Sequence, residues 1–313
     1  MPDPTAAARS PDPAPKPTHR SRTDLLLATL VLIWGLNFAV VKAALAEWHP
    51  LAFNALRFVL AGAFLLAVQR ARAHRSGLTP IARRDWPALI ALGILGNTVY
   101  QVFFILGLDA TLAGNSALVL SMTPVFITLL SVTFRHERVS PVAWAGVAAS
   151  FAGVSLVIAG GTRVAFAGHT VRGDLLTLAA ALGWALYTVG LSPYVRRYGA
   201  LRMTATTLYI GGAVLALVAL PFLRTQDWTR IGVVGWGGLV YGGILAIGVA
   251  YLLWYSGVKR IGSTRTAVYS NLIPAVALVV AWIGLGETPT WLQIGGALAI
   301  FAGIALTRRG RVQ

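Results

Sequence analysis

The sequence contains no cysteine, which excludes disulfide bonds and thiol chemistry. Charge is also scarce, because only 12% of the residues are charged, against about 25% in soluble domains. The acidic residues and the histidines all lie in tails, in loops or at the ends of apolar runs. An enzyme built into such runs needs a nucleophile with a base, a metal cluster or paired carboxylates at one depth. We therefore predict that the chain is not an enzyme and has no catalytic residues, no metal site and no cofactor.

Apolar residues make up 57% of the sequence. A helix needs about 20 predominantly apolar residues to cross the hydrocarbon core of a membrane. Strands of a membrane barrel alternate in polarity at every second residue, and runs such as LLLATLVLIWGLNFAVV do not. The sequence therefore predicts an all-α integral membrane protein with ten transmembrane helices. In chain order, helices 1 to 10 are expected at approximately 24–45, 51–69, 86–107, 112–134, 141–160, 174–193, 203–222, 232–256, 263–285 and 290–307.

The two halves of the chain repeat one pattern. Pro124 and Pro274 lie 150 residues apart, and the same shift aligns Trp34 with Trp184. It also aligns two FAG tripeptides, and low-complexity apolar sequence does not readily match such residues in one register. We predict two five-helix repeats joined by a periplasmic linker. The expected boundaries are 24–160 for the first repeat, 161–173 for the linker and 174–307 for the second repeat.

The basic residues indicate how the helices are oriented. With the N-terminus placed in the cytoplasm, 20 of the 26 Lys and Arg residues fall on the cytoplasmic side and four on the other. Because Lys and Arg are enriched in cytoplasmic loops, both termini are expected inside, and the net charge of +16 does not indicate nucleic-acid binding. Five crossings per repeat make the second repeat inverted. Inverted repeats are typical of secondary transporters, which bind substrate near the midplane and work by alternating access.

The ends of the chain add little to this prediction. Residues 1–23 are rich in Pro, Ala and charge and are expected to be a disordered cytoplasmic tail, with a second short tail at 308–313. The first apolar run is too long for a signal-peptide core and is expected to remain as a helix. The sequence has no Asn-x-Ser/Thr glycosylation site, which agrees with a bacterial inner membrane. We expect a monomer in the lipid bilayer.

Several motifs resemble the drug/metabolite transporter superfamily in its ten-helix, twice-repeated EamA-type arrangement. The motifs are WGLN at 34–37, ALRFVLA at 55–61, ALVLSMTPVFITLLSVTFRHER followed by GVAASFAGVSLVI, and the counterpart AVYSNLIPAVALVVAWIGLGE followed by GALAIFAGIAL. The resemblance covers 24–307 and implies a metabolite transporter, with the amino-acid exporters of the superfamily, including exporters of aromatic amino acids, as the nearest functional examples. The second half departs from the pattern, because GWALY stands at 183–187 where the first half has GLN. This departure leaves open whether the two halves contribute equally to a site.

Polar and aromatic side chains deep in the membrane are candidates for lining a substrate pathway, because such groups usually face the interior of a helix bundle. Trp34 and Asn37 share one face of helix 1, and Trp184 and Tyr187 repeat that face on helix 6. Helix packing is the alternative interpretation of these four residues.

A second set of candidates lies on helices 3 and 8. Asn97, Tyr100 and Gln101 form one stripe at helical spacing, for which we favour a lining role. Tyr251 and Trp254 continue the pattern on helix 8, although Trp254 is also suited to anchoring the helix at the membrane surface.

Two prolines interrupt apolar helices. Pro124 and Pro274 lack a backbone donor and are expected to kink helices 4 and 9. Ser121 and Asn271 lie beside the kinks, where a freed carbonyl and a small polar side chain suit a substrate ammonium group. Alternatively, a neighbouring group satisfies the carbonyl and the kink is purely structural.

Helix 8 is rich in glycine. Gly238 and Gly242 have the small-xxx-small spacing that lets two helices approach closely. Close packing is the first interpretation, and bending of the helix during gating is the second.

Two basic residues, Lys42 and Arg57, fall within the hydrophobic zone of the membrane. Arg57 lies about 9 Å inside helix 2, at 1.5 Å per residue. We interpret it as structural, with snorkelling or a partner such as a helix C-terminus or Glu47 reducing its insertion cost of about 2.5 to 3.5 kcal/mol. Lys42 is expected to snorkel to the surface and not to hold a substrate carboxylate.

These features predict a secondary transporter that exports small neutral or zwitterionic metabolites through a cavity between the repeats. Amino acids, aromatic or otherwise apolar, are the first choice of substrate. Efflux of drugs or other organic solutes is the alternative, which is weakened because exchange of protons for cationic drugs needs a carboxylate at mid-membrane. Proton coupling and facilitated diffusion both remain open.

Overall fold

A computed structural model describes residues 17–73, 80–135, 140–161, 167–270 and 272–309. In these ranges every regular element is a helix. Most of the two predicted tails lies outside the described residues. The helices are Pro17–Leu45, Pro50–Ala73, Arg83–Asp85, Trp86–Ile94, Leu95–Val99, Tyr100–Ala110, Ala113–Leu120, Thr123–Arg135, Pro141–Gly161, Ala167–Tyr198, Ala200–Thr225, Trp228–Arg230, Val233–Val240, Tyr241–Val249, Ala250–Ser270, Ile273–Leu285 and Trp291–Arg309.

These helices build the ten predicted crossings. Within the described ranges, eight spans are long and apolar enough to cross a membrane, and two shorter apolar helices follow them. The chain is therefore an all-α integral membrane protein with ten transmembrane helices. Helices 1 to 10 correspond to Thr23–Leu45, Pro50–Ala71, Arg83–Ala110, Ala113–Leu130, Pro141–Gly160, Thr170–Tyr198, Ala200–Thr225, Val233–Ile261, the interrupted segment that ends with Ile273–Leu285, and Trp291–Leu306.

The ends of the helices repeat with the same period as the sequence. Helix 2 begins at Pro50 and helix 7 at Ala200, while helices 5 and 10 begin at Pro141 and Trp291. Both pairs are 150 residues apart, so the duplication extends to the backbone.

Equivalent residues of the two repeats also touch each other. The ring centroids of Trp34 and Trp184 lie 5.9 Å apart, and Gln101 Nε2 donates to the hydroxyl of Tyr251 at 2.8 Å. Two equivalent residues contact each other only near the axis that relates their repeats, as in a two-fold interface. The inverted repeats are therefore related by a pseudo-two-fold axis that passes through the middle of the bundle.

Helices 5 and 10 pack through glycines. A methyl group added to Gly153 would lie 2.7 Å from the carbonyl oxygen of Gly296, and one added to Gly303 would lie 2.5 Å from that of Gly146. The 150-residue shift converts the first contact into the second, because Gly153 is equivalent to Gly303 and Gly146 is equivalent to Gly296. Close backbone approach is the usual use of small residues between membrane helices.

The turn between helices 8 and 9 differs from the prediction. Helical backbone continues from Ala250 to Ser270, across the loop expected at about 257–262. A methyl group on Gly257 would lie 3.0 Å from Thr266 Cγ2, although a straight helix would place these residues about 13 Å apart at 1.5 Å per residue. The chain therefore reverses direction here without a long loop. This segment contains no proline that would end the helix.

Helices 3 and 8 each contain a stretch of π-helix, at Leu95–Val99 and Tyr241–Val249. Under the 150-residue shift the first stretch falls on the second half of the other. π-Turns are rare and frequently occur at functional sites. Both stretches lie beside the centre of the bundle, where they change which side chains face inward.

Candidate functional site

A cavity lies beside the pseudo-two-fold axis. Its volume is about 70 Å³, measured as the space that the centre of a water molecule can occupy. On the same measure, one water molecule needs roughly 10 to 15 Å³. The cavity therefore has room for a small molecule of several heavy atoms. Its lining comprises Trp34, Asn37, Phe38, Arg57, Tyr100, Gln101, Phe104, Ala117, Leu120, Ser121, Thr123, Pro124, Trp184, Ala246, Ile247, Tyr251, Trp254, Ser270, Ile273 and Pro274.

Aromatic rings form one wall of the cavity. Trp184 lies at its centre, with ring centroids 5.0 Å from Tyr100 and 5.1 Å from Tyr251. Trp34 meets Trp184 edge to face, and its Nε1 donates to the carbonyl of Ala246 at 2.9 Å. Edge-to-face and tilted contacts of this kind stabilise aromatic clusters beyond simple burial. The wall therefore presents mainly aromatic surface, which suits a flat apolar or aromatic ligand.

Four polar atoms on the lining lack a hydrogen-bond partner in the described part of the chain. Asn37 Oδ1 and Gln101 Oε1 are acceptors, and Trp254 Nε1 and Arg57 Nε are donors. Buried polar atoms in folded proteins are normally satisfied. Four of the ten unpaired polar atoms in the described part of the chain belong to lining residues, which makes this lining a candidate place for a polar ligand. Trp254, which the sequence left between lining and surface anchoring, is buried and lies on the lining.

Arg57 is the main difference from the sequence-based interpretation. We interpreted it as structural, whereas it lies on the cavity lining and is 2% exposed. The proposed partner Glu47 instead accepts from the backbone N–H groups of Gly232 and Gly235, at the start of helix 8. An ionisable residue inside a membrane helix is a functional candidate by default, so the sequence was also compatible with a place on the lining.

Two predicted lining residues, Asn97 and Tyr187, lie outside the lining. Asn97 belongs to the π-turn of helix 3, which breaks the α-helical register with Tyr100 and Gln101. A methyl group on Gly211 of helix 7 would lie 2.6 Å from its Cβ, so Asn97 packs there.

Tyr187 shares a helix face with Trp184, yet it packs into the second half of the bundle. Its ring lies against Gly96, where any larger residue would overlap it. Its hydroxyl bonds to Thr207 at 2.7 Å and accepts from Asn97 Nδ2 at 3.3 Å. The helical period correctly placed Tyr187 in the interior, where it joins a polar cluster off the lining of the cavity.

The prolines break their helices as predicted, and local groups satisfy the break at Pro124. The hydroxyl of Thr123 donates to the carbonyl of Leu120 at 2.8 Å, and the hydroxyl of Ser121 donates to the carbonyl of Leu118. This arrangement matches the structural alternative for the first kink. Pro274 lies in the first turn of Ile273–Leu285, the helix that follows the break in helix 9, and Asn271 lies outside the described residues.

The two glycines of helix 8 each meet a specific neighbour. A methyl group on Gly238 would lie 2.6 Å from Ala44 Cβ on helix 1, so this glycine permits close packing. A methyl group on Gly242 would lie 2.7 Å from Arg57 Nε. Gly242 therefore leaves room for the guanidinium group, a role that the sequence did not indicate.

Lys42 lies at the end of the bundle, away from the cavity. Its Nζ donates to the backbone carbonyls of Leu108 and Asp109, at 3.0 and 2.6 Å, at the end of helix 3. Glu287 accepts from the N–H groups of Ala113 and Gly114, at 2.9 and 3.0 Å, at the start of helix 4. These side chains complement helix ends, whose free carbonyls attract cations and whose free N–H groups attract anions.

Comparison with known proteins identifies a family with the same duplication. The protein family described as "EamA-like transporter family" matches residues 21–159 and again residues 171–309. An uncharacterized transporter from Archaeoglobus fulgidus is 32% identical over 289 residues, which cover 92% of this chain and 97% of that protein. A probable terminal-alkyne amino-acid exporter from Streptantibioticus cattleyicolor is 30% identical over 293 residues, which cover 90% of this chain and 92% of the exporter.

The fold is shared with a solved protein as well. One crystal structure, 25% identical in sequence, superposes with a TM-score of 0.68. The superposition covers 94% of this chain and 100% of that one.

Proposed function

This chain belongs to the EamA-like transporter family, and we propose that it exports small metabolites across the inner membrane of a bacterium, with amino acids, aromatic or otherwise apolar, as the first choice of substrate. The cavity lies between the two inverted repeats near the middle of the bundle, where secondary transporters bind their substrates. A relative of similar length is named as a probable amino-acid exporter, which supports the same class of solute.

The observation that carries the proposal is the chemistry of the cavity lining. Asn37 and Gln101 present unpaired amide oxygens beside an aromatic wall. An ammonium group suits the oxygens, and an apolar side chain suits the wall. None of the described lining residues is Asp, Glu or His, so the lining lacks the carboxylate that a carrier of cationic drugs needs. The described lining also contains no nucleophile next to a base, which favours a carrier over an enzyme.

The proposed mechanism is alternating access, in which the two repeats rock about the cavity and expose it to each side in turn. We propose that both termini lie in the cytoplasm, from the distribution of Lys and Arg in the loops. Transport is proposed to be uncoupled from protons. Uphill accumulation driven by a pH gradient in vesicles would contradict the uncoupled form.

Uptake into liposomes tests the proposed substrate. The purified protein is reconstituted and offered a panel of amino acids, nucleosides, sugars and organic cations. We expect preference for apolar and aromatic amino acids, and a clear loss of that uptake in Trp184→Leu. The matched control is Trp236→Leu, because Trp236 is 45% exposed and lies off the lining. Preference for organic cations over amino acids would contradict export of amino acids and would support the alternative function, efflux of drugs.

A further inference from the structure

We propose that Arg57 binds the carboxylate of the transported solute, which makes the substrate class a small monocarboxylate with an apolar body. This inference rests on the transport function proposed above, and it adds the group that the cavity recognises and the side chain that recognises it. Arg57 is the one charged side chain among the described lining residues.

Arg57 is buried and no acidic side chain in the described ranges neutralises it. The ion pairs found there join Asp85 to Arg84 and to Arg197, at an end of the bundle. The guanidinium group makes a long hydrogen bond from Nη1 to Asn54 Oδ1 at 3.5 Å. Its Nε has no hydrogen-bond partner in the described ranges. A buried charge without a counterion is strongly unfavourable in a membrane. An anionic ligand in the cavity supplies the missing counterion.

The surrounding residues hold the guanidinium group in position. The amide of Asn54 donates to the backbone carbonyl of Gln101 at 3.0 Å, which orients Asn54 Oδ1 towards Arg57. Arg57 Cζ lies 5.5 Å from the ring centre of Phe53, within the range of cation–π contacts. Gly242 provides the space beside Nε. A guanidinium group held in this way without a counterion is suited to bind a carboxylate through paired hydrogen bonds.

The other unpaired atoms of the lining determine how a substrate is oriented. Trp254 Nε1 is a second donor without a partner, and it suits the same carboxylate. Asn37 Oδ1 and Gln101 Oε1 are acceptors without a partner, and they suit an ammonium group. Two donors and two acceptors around one cavity match the two ends of an amino-acid zwitterion.

At the position equivalent to Arg57, the second half of the chain has no cationic side chain. The residue 150 positions after Arg57 is Thr207, a neutral side chain that bonds to Tyr187. The cavity therefore has one cationic anchor, which fits one carboxylate. A dicarboxylate would leave its second charge without a partner.

A competition experiment on the wild-type protein tests the inference without any mutation. Liposomes containing the protein take up the labelled amino acid that the panel identifies as the best substrate. The competitors are the unlabelled amino acid, its decarboxylated amine, its methyl ester and its α-hydroxy acid. We expect the amine and the ester to compete at least about tenfold more weakly than the amino acid, a difference of ~1.4 kcal/mol. Equal competition by the amine or the ester would overturn the carboxylate site.

Three variants then assign the site to one residue. We expect Arg57→Gln to lower uptake at least about tenfold. Its residual uptake should no longer distinguish the acid from the amine, a change that a purely structural role would not cause. Arg57→Lys should retain part of the uptake, because it keeps the charge and loses the paired hydrogen bonds. The control is Arg84→Gln, because the Arg84 side chain is 75% exposed at the end of the bundle. Unchanged uptake and unchanged selectivity in Arg57→Gln would refute the assignment.

The failure of this inference differs from the failure of the proposed function. Uptake of amino acids and of their amines at equal rates would agree with amino-acid export and would contradict the role proposed for Arg57. Uptake of hydroxy acids without uptake of amino acids would agree with the carboxylate site and would contradict amino-acid export. If Arg57→Gln does not fold, the competition series on the wild-type protein decides the question.

Discussion

The first half of the chain presents Asn37 and Arg57 to the centre of the bundle, where the second half has Tyr187 and Thr207. Tyr187 and Thr207 bond to each other at 2.7 Å and fill the interior of their half. Asn37 and Arg57 keep unpaired atoms and line a cavity. The departure of GWALY from GLN therefore has a structural consequence, since the two halves do not contribute equally to the site.

The backbone is duplicated more faithfully than the side chains. Large and small residues are exchanged between equivalent positions: Gly242 leaves room for Arg57, and the position equivalent to Gly242 in the first half is Leu92. Gly96 receives the ring of Tyr187, whereas the equivalent Ala246 faces the cavity beside Asn37. An inverted duplication creates two equivalent places for a pocket, and in this protein side-chain size closes one of them.

The largest effect on transport is expected from a variant that gives the cavity of the first half the side chain that fills the second half. Asn37→Tyr places in the first half the side chain that fills the second. We expect the phenol to occupy the cavity, so uptake in liposomes should fall by about 100-fold, or ~2.7 kcal/mol, with little loss of folded protein. The measurement is the initial rate per folded transporter, with folding checked by gel filtration. Retention of uptake would show that solutes do not pass through this cavity.

A smaller effect is expected from filling the space beside Arg57. Gly242→Leu should displace the guanidinium group and lower uptake by about tenfold. The matched control is Gly238→Leu, because Gly238 meets Ala44 and not Arg57. Both variants overpack a tight contact, which costs about 1 to 3 kcal/mol of stability. Thermal unfolding measured beside uptake separates the two effects. A loss of uptake that follows the loss of folded protein equally in both variants would contradict a specific role for Gly242.

The smallest effect on transport is expected in the closed half. Tyr187→Phe removes the hydroxyl that bonds to Thr207 and to Asn97. We expect a loss of about 1 to 3 kcal/mol in the free energy of unfolding, because buried partners lose a hydrogen bond. Uptake should stay within about twofold of wild type, since Tyr187 lies off the lining. A tenfold loss of uptake with unchanged stability would indicate that this half takes part in binding.

Much of the fold was predictable because it depends on local properties of the chain. The apolar length of each segment, the missing N–H of Pro124 and Pro274 and the 150-residue period are all visible in the sequence. The aromatic wall was predictable for a related reason, because Trp34 and Trp184 are deep in their helices and equivalent to each other. Asn97 lies off the lining of this cavity, because regular α-helical spacing does not hold across Leu95–Val99, where the π-turn changes the face.

The sequence alone determined the membrane class, the ten helices and the duplication, because hydrophobic length, helix-breaking residues and internal repetition do not depend on neighbours in space. Only the tertiary structure decided which side chains surround the cavity and which of its polar atoms are unpaired. Arg57 shows the reason. Its contacts come from helix 2 itself and from the distant helix 8, and whether a buried charge is structural or available to a ligand depends on what these segments place around it.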